Sequence, residues 1–128
     1  MPAILRLPDK LHIVCVDPNE EPTRYYYWPI VGWFYRRRLQ MILDLLEQAP
    51  YGHLLEVAYG SGIFLPSLAP LCQNLHGIDL HRHGTVVQDT LRKASVTAGL
   101  LTGDAMNMPY GDAVFDCVVN VSMLEHLR

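Results

Sequence analysis

At 128 residues, half of them hydrophobic and 18% charged, the chain is long enough for one folded domain and too apolar for a disordered segment. Its formal net charge of −3 and its pI near 6.0 exclude the strong basic field that attracts nucleic acid, so we expect no nucleic-acid partner. Three widely spaced cysteines, Cys15, Cys72 and Cys117, form no C-x-x-C pair, which favours free thiols in a reducing cytoplasm.

The first 52 residues are predicted to form an N-terminal segment with one amphipathic helix. Leu11 to Val16 (LHIVCV) has the composition of a strand. From about residue 30 to 49, apolar residues recur at intervals of three and four, which is typical of a helix with one buried face. Pro29 suits the beginning of this helix and Pro50 suits its end, so we expect it to span about 30–49.

The stretch from Tyr25 to Arg38 (YYYWPIVGWFYRRR) combines aromatic residues with three consecutive arginines. Short charge runs usually lie on a solvated helix face, and we then expect the aromatic side chains to pack against the sheet. The alternative is a lid or an interfacial patch, because aromatics followed by arginines suit a membrane surface or an apolar acidic substrate. Tyr25 to Tyr35 has eleven residues, fewer than the roughly 20 of a transmembrane helix, so no membrane span is expected.

The second part of the chain is organised around Leu54 to Leu65 (LLEVAYGSGIFL). Its short apolar run predicts a buried strand over about 53–60, and its two glycines permit a sharp bend. The apolar residues that follow predict a helix over about 63–72 with Pro66 in its first turn. A strand, a glycine turn and a helix bring backbone N–H groups to one point, which favours a polar or anionic ligand there.

A second strand with an acid near its end follows. Asn74 to Leu80 is predicted as this strand, and Asp79 lies 17 residues after Gly62, close to the spacing of about 20 between a glycine turn and a ribose-binding acid. A carboxylate accepts hydrogen bonds from two vicinal ribose hydroxyls, whereas the alternative is an ordinary aspartate at a strand end. His81 and His83 alone do not complete a metal site, so none is predicted.

Two more strands complete the predicted sheet. A helix over 85–98 leads to a third strand at Leu100 to Ala105, and the fourth strand is Ala113 to Val119. Because right-handed crossovers connect such strands, we expect an α/β, Rossmann-like, mostly parallel sheet of order 3-2-1-4 with flanking helices. Residues 53–128 would form this half-domain, and together with residues 1–52 they would make one compact domain.

The fourth strand is predicted to be an exposed apolar edge of this sheet. We expect something to cover it: the N-terminal strand-like segment, a second copy of the chain in a homodimer, or sequence missing from a truncated product. A dimer or a truncated product is favoured over a self-sufficient monomer.

The segment E-V-A-Y-G-S-G, residues 56–62, resembles the glycine-rich first motif of class I S-adenosylmethionine (SAM)-dependent methyltransferases, in particular a type 11-like methyltransferase domain. Asp104 with Ala105 resembles the adenine-binding segment of that family, and the strand at Phe115 resembles its F-D-x-V-type strand. One residue departs from the pattern, since Ala58 stands where the family usually has its first glycine. The resemblance covers the second half of the chain and implies a fold that is incomplete, apparently truncated after the fourth strand.

The resemblance implies SAM as the cofactor and S-adenosylhomocysteine (SAH) as its product. It implies that Glu56 orients the methionine moiety or the glycine loop, that Asp79 holds the ribose, and that Asp104 faces the adenine. The implied cofactor-binding residues are Glu56, Ala58, Gly60, Gly62, Asp79, Leu80, Asp104, Ala105 and Asn120. The catalytic residues are not implied, and the candidates for facing the substrate are His126, which could act as a general base, and Tyr110.

Three functions stay open at this point. The first is SAM-dependent methyl transfer to an acceptor that is a small molecule, a lipid-like molecule, a protein or RNA, of which the acidic pI disfavours RNA. The second is a non-catalytic SAM-binding or assembly module, because the acceptor pocket is less complete than the cofactor pocket. The third, a nicotinamide-dependent oxidoreductase, is disfavoured because Leu65 and Ile63 stand where the two possible registers of G-x-G-x-x-G need glycine or a small residue.

Overall fold

A computed structural model describes residues 4–13, 26–46, 49–104 and 114–121 of the chain. Helices and strands alternate along these residues. In chain order the elements are helix α1 (Val31–Leu45), strand β1 (Tyr51–Val57), helix α2 (Leu65–Leu68), strand β2 (Cys72–Asp79), helix α3 (Gly84–Lys93), strand β3 (Gly99–Thr102) and strand β4 (Cys117–Asn120). Within the described ranges, no helix is long and apolar enough to cross a membrane.

The four strands form one parallel sheet in the order β3-β2-β1-β4, which confirms the predicted order and fold class. Strand β1 is central, since Leu54 pairs with Leu75 of β2 on one side and with Cys117 of β4 on the other. Parallel strands point the same way, so the segments that follow them meet along one edge of the sheet. We call this the carboxyl edge; the strands reach it at Val57, Asp79, Thr102 and Asn120.

The three helices contribute to one core on a single face of the sheet. Alternate strand residues, Leu54, Leu75 and Val119, belong to the same buried cluster as side chains from all three helices. The most deeply buried helical members of this cluster are Leu39, Leu43, Leu65, Leu68, Val87 and Leu91. Burial of each such side chain stabilises the fold by about 1.5–3 kcal/mol, and this fixes the helices against the sheet.

The opposite face of the sheet has a smaller cluster of its own. Leu55, Val57 and Ile78 are buried there, and Phe115 packs against them. Strand β1 therefore contributes Leu54 to one cluster and Leu55 to the other. A central parallel strand is expected to be apolar on both faces, and this explains the continuous apolar run that the sequence shows.

The helix after β1 is shorter than the sequence predicts. The prediction covers about 63–72, whereas α2 has four residues and continues as a 3-10 turn over Ala69–Leu71. Pro66 is tolerated in the first helical turn, but Pro70 lacks the N–H that an α-helix would direct to the Pro66 carbonyl. The predicted extent of this helix is therefore wrong, and the glycine turn leads into a single α-helical turn.

The prediction of a strand over Leu11 to Val16 is wrong at its beginning. His12 N–H donates to the Asp9 carbonyl at 2.8 Å, and Leu11 N–H donates to the Asp9 carboxylate at 2.9 Å, so these residues form a turn. Residues 14–16 lie outside the described residues. Helix α1 ends at Leu45, earlier than the predicted residue 49, and the division of the chain after residue 52 stays a prediction.

Candidate functional site

A tight turn joins β1 to α2 at the carboxyl edge. Three of its residues have left-handed backbone conformations, Ala58 with φ 61°, Gly60 with φ 58° and Gly62 with φ 79°. Glycine adopts such angles readily, whereas a residue with a Cβ does so at a cost of about 1–2 kcal/mol. Ala58 N–H donates to the Ile78 carbonyl at 2.8 Å, which holds the turn against β2, and Gly62 N–H donates to the Tyr59 carbonyl at 2.9 Å within the turn.

Asp79, at the end of β2, binds this turn directly. Its Oδ2 accepts a hydrogen bond from Gly60 N–H at 2.8 Å, and its Oδ1 accepts a longer one from His81 N–H at 3.4 Å. The Asp79 side chain is 18% exposed, and each carboxylate oxygen has a second lone pair. The carboxylate can therefore hold the turn and still accept hydrogen bonds from a ligand.

His81 supports the same turn, a role that the sequence analysis missed. Its Nε2 lies 2.7 Å from the Gly60 carbonyl oxygen, and its Nδ1 accepts a hydrogen bond from His83 N–H at 3.1 Å. Both contacts are satisfied when Nε2 carries the hydrogen and donates it. The ring also packs edge-on against Tyr59, with centroids 5.0 Å apart. The only sequence signal for this role is the place of His81 two residues after Asp79.

Tyr59 is bulky for a turn of this kind, and a glycine on the neighbouring strand makes room for it. The Tyr59 side chain is buried. A Cβ added at Gly77 of β2 would lie 2.8 Å from Tyr59 Cδ1 and 2.9 Å from Leu100 Cδ2, and both distances are too short for carbon atoms in contact. The tyrosine can therefore lie against β2 because residue 77 has no side chain.

Glu56 is buried in β1, two residues before the turn. It is 3% exposed, and its Oε1 has no hydrogen-bond partner among the described residues. Burial, together with the nearby charge of Asp79, raises the pKa of Glu56 well above its ordinary value. A carboxyl group in this environment favours a cation or a hydrogen-bond donor that arrives with a ligand.

Residues from the N-terminal part of the chain lie near Glu56. Tyr26 is buried, and burial raises the pKa of its phenol, with the Glu56 carboxylate acting in the same direction. Arg38 Nη2 donates to the Tyr26 hydroxyl at 3.1 Å, and Arg36 Nη1 donates to the Tyr26 carbonyl. The prediction of a solvated face is therefore wrong for Arg36 and Arg38, which are half-buried, and is confirmed for Arg37, which is exposed.

Several other predicted site residues also lie at the carboxyl edge. Asp104 follows β3, Asn120 ends β4, and the exposed Leu80 directly follows Asp79. Gly103 N–H donates to the Asp79 carbonyl at 2.9 Å, which links the end of β3 to the end of β2. Ala105, Tyr110 and His126 lie outside the described residues. In the part of the chain that the structure describes, no group of three or more His, Cys, Asp or Glu side chains could hold a metal ion.

The turn after β1 and the acid at the end of β2 both fall within a match to a known family. A sequence model described as "Methyltransferase domain", type 11, matches residues 55–128, which is more than half of the chain. The chain belongs to this methyltransferase domain family. The resemblance stated from the motif at residues 56–62 is thereby confirmed.

Solved structures show that the fold of this methyltransferase domain is a known one. The YcgJ protein from Bacillus subtilis matches with a TM-score of 0.62 at 20% identity, over 66% of this chain and 37% of that one. The N-methyltransferase NodS from Bradyrhizobium japonicum WM9, in complex with SAH, matches with a TM-score of 0.61 at 24% identity, over 79% of this chain and 50% of that one. No curated protein sequence gives a significant match.

The methyltransferase domain spans half or less of the length of these two solved relatives. At identities below 25% the likeness concerns the fold, and it agrees with the parallel sheet of order β3-β2-β1-β4. The described part of the chain therefore corresponds to part of a methyltransferase fold.

Proposed function

We propose that this methyltransferase domain binds SAM at the glycine turn and transfers its methyl group to an acceptor. The observation that carries the proposal is the hydrogen bond of 2.8 Å from Gly60 N–H to Asp79 Oδ2. It joins the turn after β1 to the acid that ends β2, and Rossmann-like folds hold nucleosides with this pair of features. Membership of the family supports methyl transfer over hydride transfer, and the complex of NodS with SAH supports SAM as the cofactor.

Each part of SAM has a proposed partner on this chain. Asp79 would accept hydrogen bonds from the ribose hydroxyls, and Asp104 with Ala105 would contact the adenine. The left-handed backbone of the turn would let the main chain approach the cofactor closely. The residues proposed to hold SAM are Glu56, Ala58, Gly60, Gly62, Asp79, Leu80, Asp104, Ala105 and Asn120.

The environment of Glu56 indicates whether SAM fits this site. Its buried Oε1 lacks a hydrogen-bond partner among the described residues, and Asp79 adds a second negative charge nearby. The amino group of the methionine moiety is a cation that donates hydrogen bonds. It would satisfy the oxygen of Glu56 and stabilise the ionised carboxylate, so the residues present fit the cofactor.

The methyl group of SAM is already activated by its sulfonium, so the protein mainly has to align the acceptor and exclude water. On this chain, Tyr26, whose hydroxyl accepts a hydrogen bond from Arg38, is buried near Glu56. The candidates for contacting the acceptor stay His126 and Tyr110, with His126 as the general base for an acceptor that must lose a proton. The proposed acceptor is a small or lipid-like molecule, because the acidic chain has no general attraction for nucleic acid.

Turnover tests this proposal directly. The 128-residue protein is incubated with SAM that carries a labelled methyl group and with a panel of small and lipid-like acceptors, and SAH and labelled product are measured by mass spectrometry. We expect one acceptor or more to yield both products in equal amounts. At subsaturating SAM, Asp79→Ala should lower the rate at least about tenfold, because it removes charged hydrogen bonds to the cofactor.

The matched control is Asp89→Ala on α3, where the exposed carboxylate pairs with Arg92 and Lys93 and should not affect turnover. Binding of SAH without turnover of any acceptor would favour the non-catalytic SAM-binding module. Binding of a nicotinamide cofactor in preference to SAH would favour the oxidoreductase.

A further inference from the structure

The outer face of α1 is apolar although it faces solvent. Ile30, Phe34, Met41 and Leu45 are between 55% and 77% exposed. Their spacing of four, seven and four residues places them in one stripe along the helix. The inner face of α1 is also apolar, and residues such as Leu39 bury it in the main core. Helix α1 therefore has two apolar faces, and the residues that the structure describes bury only one of them.

Aromatic side chains widen this stripe at its N-terminal end. Trp28 and Trp33 are about half exposed, and the Trp33 ring packs edge-on against Phe34 with centroids 5.0 Å apart. The prediction that the aromatics of this stretch pack against the sheet is therefore wrong for these three residues, although Tyr26 is buried. Scattered exposed apolar residues are ordinary, but a continuous apolar patch marks an interaction surface.

Two residues of opposite charge lie on the same outer face. Arg37 and Asp44 are both exposed. Seven residues, or about two helical turns, separate them, so they lie on one side of the helix about 10 Å apart along its axis. Asp44 Oδ1 accepts a hydrogen bond from Gln40 Nε2 at 3.0 Å, which engages one of its two oxygens. The positive charge lies nearer the N-terminus of α1 and the negative charge nearer its C-terminus, so the two halves of this face have opposite charges.

This pattern is complementary to itself when two helices run antiparallel. With a two-fold axis crossing α1 near Met41, Arg37 lies opposite Asp44 of the other copy in both halves of the contact. The same register brings Phe34 opposite Leu45 of the other copy and brings the two Met41 side chains together at the axis. These pairings agree with one axis position to within about one residue, so apolar groups meet apolar groups and opposite charges meet.

We propose that the outer face of α1 is the interface of a homodimer in which two copies of α1 pack antiparallel. The 15 residues of the helix give about 22 Å of contact length. A second copy fits this face better than an anionic lipid surface does, because the charges on the stripe are balanced and the whole chain carries −3. The sequence analysis predicts a different homodimer, in which a second copy covers the edge of β4. The experiment must distinguish that interface from the one on α1.

Sedimentation velocity of the 128-residue protein over a range of concentrations tests the proposal. We expect the wild type to show a monomer–dimer equilibrium. Arg37→Asp alone, or Asp44→Arg alone, places like charges opposite each other twice, so each should raise the dissociation constant at least about tenfold. The double reversal restores opposite charges and should return the dissociation constant to within about threefold of the wild-type value.

Two further variants separate the surfaces. Met41→Glu places two carboxylates at the axis and should leave a monomer. Val118→Glu on β4 is the matched control, because Val118 is 53% exposed and Met41 is 55% exposed, and it should leave the dimer intact. Circular dichroism spectra and thermal unfolding establish that each variant is folded.

A wild type that stays monomeric at every concentration would overturn the proposal. So would a double reversal that fails to restore the dimer, or a dimer lost in Val118→Glu. Cosedimentation of a monomeric wild type with vesicles of phosphatidylcholine and phosphatidylserine, abolished by Met41→Glu, would assign the same stripe to a lipid surface instead.

Discussion

Glu56 combines deep burial with an oxygen that no described residue satisfies. Transferring an ionised carboxyl group from water to such an environment destabilises the folded state unless a partner compensates. The nearby carboxylate of Asp79 accepts hydrogen bonds from two backbone N–H groups and is partly exposed. The two carboxyl groups therefore have different environments, which suits Glu56 to a cationic group and Asp79 to hydroxyl donors.

We predict that Glu56→Gln changes the pH dependence of stability. Because the folded-state pKa of Glu56 lies above its ordinary value of 4.5, the folded state binds this proton more tightly than the unfolded state does. The contribution of Glu56 to the free energy of unfolding should therefore fall as the pH rises from 4.5 to the folded-state pKa. Urea unfolding of both proteins across this range measures the slope that the variant lacks.

The same substitution should weaken SAH binding by about tenfold or more, because a neutral amide replaces the anionic acceptor of the amino group. Asp89→Asn, an equivalent change on the exposed face of α3, is the control and should leave binding unchanged. A Glu56→Gln variant that binds SAH as tightly as the wild type would contradict the role given to Glu56.

At the scale of single residues, the parts of the site that local rules govern were predictable. Gly60 and Gly62 have the positive φ angles that favour glycine, and the spacing to Asp79 follows from the length of one helix and one strand. The role of His81 was not predictable, because its contact with the Gly60 carbonyl depends on how the turn curls back over β2. The half-buried state of Arg38 depends in the same way on the place of Tyr26.

At the scale of elements, the glycine turn and β2 pack as a pair. The ring of Tyr59 and the side chain of Leu100 of β3 both occupy the space that a side chain at Gly77 would need. The sequence marks Gly77 as an interruption of an apolar strand but does not identify the ring that lies against it. A glycine inside a strand often marks such a close approach.

We predict that Gly77→Ala destabilises the protein by about 1–3 kcal/mol, because the added methyl group forces Tyr59 and Leu100 to move. Gly84→Ala is the matched control, since a Cβ there would lie 3.6 Å from Tyr59 Oη, an ordinary contact distance. Chemical denaturation of both variants measures the difference. Equal stabilities of the two variants would contradict the packing described for Tyr59.

The lengths of the elements were less predictable than their order. Apolar periodicity extends through residues 63–72, but Pro70 interrupts the hydrogen bonds that would continue α2. Leu11 and His12 have a strand-like composition, yet Asp9 caps them into a turn. In both cases one side chain or one missing N–H outweighs the average preference of the segment.

At the scale of the whole molecule, the strand order was predictable because right-handed crossovers leave few alternatives. The orientation of α1 was not. The three- and four-residue spacing allows Val31, Phe34 or Tyr35, and Leu39 on the buried stripe. Leu39 is buried and Tyr35 is half-buried, whereas Val31 and Phe34 are exposed. The apolar residues of α1 lie on most sides of the helix. Their periodicity therefore predicts a helix but does not decide which side packs against the sheet. The homodimer proposed above follows from that second apolar face.

Calorimetric titration of the folded protein with SAH, beside Asp79→Ala and Asp89→Ala, tests directly whether the glycine turn and Asp79 bind the cofactor. We expect the wild type and Asp89→Ala to bind SAH equally. Asp79→Ala should bind about a hundredfold more weakly, because it loses the acceptor of the ribose hydroxyls and the anchor of Gly60 N–H. A folded wild type that does not bind SAH, or an Asp79→Ala variant that binds it as tightly as the wild type, would mean that SAM is not held at this turn by Asp79.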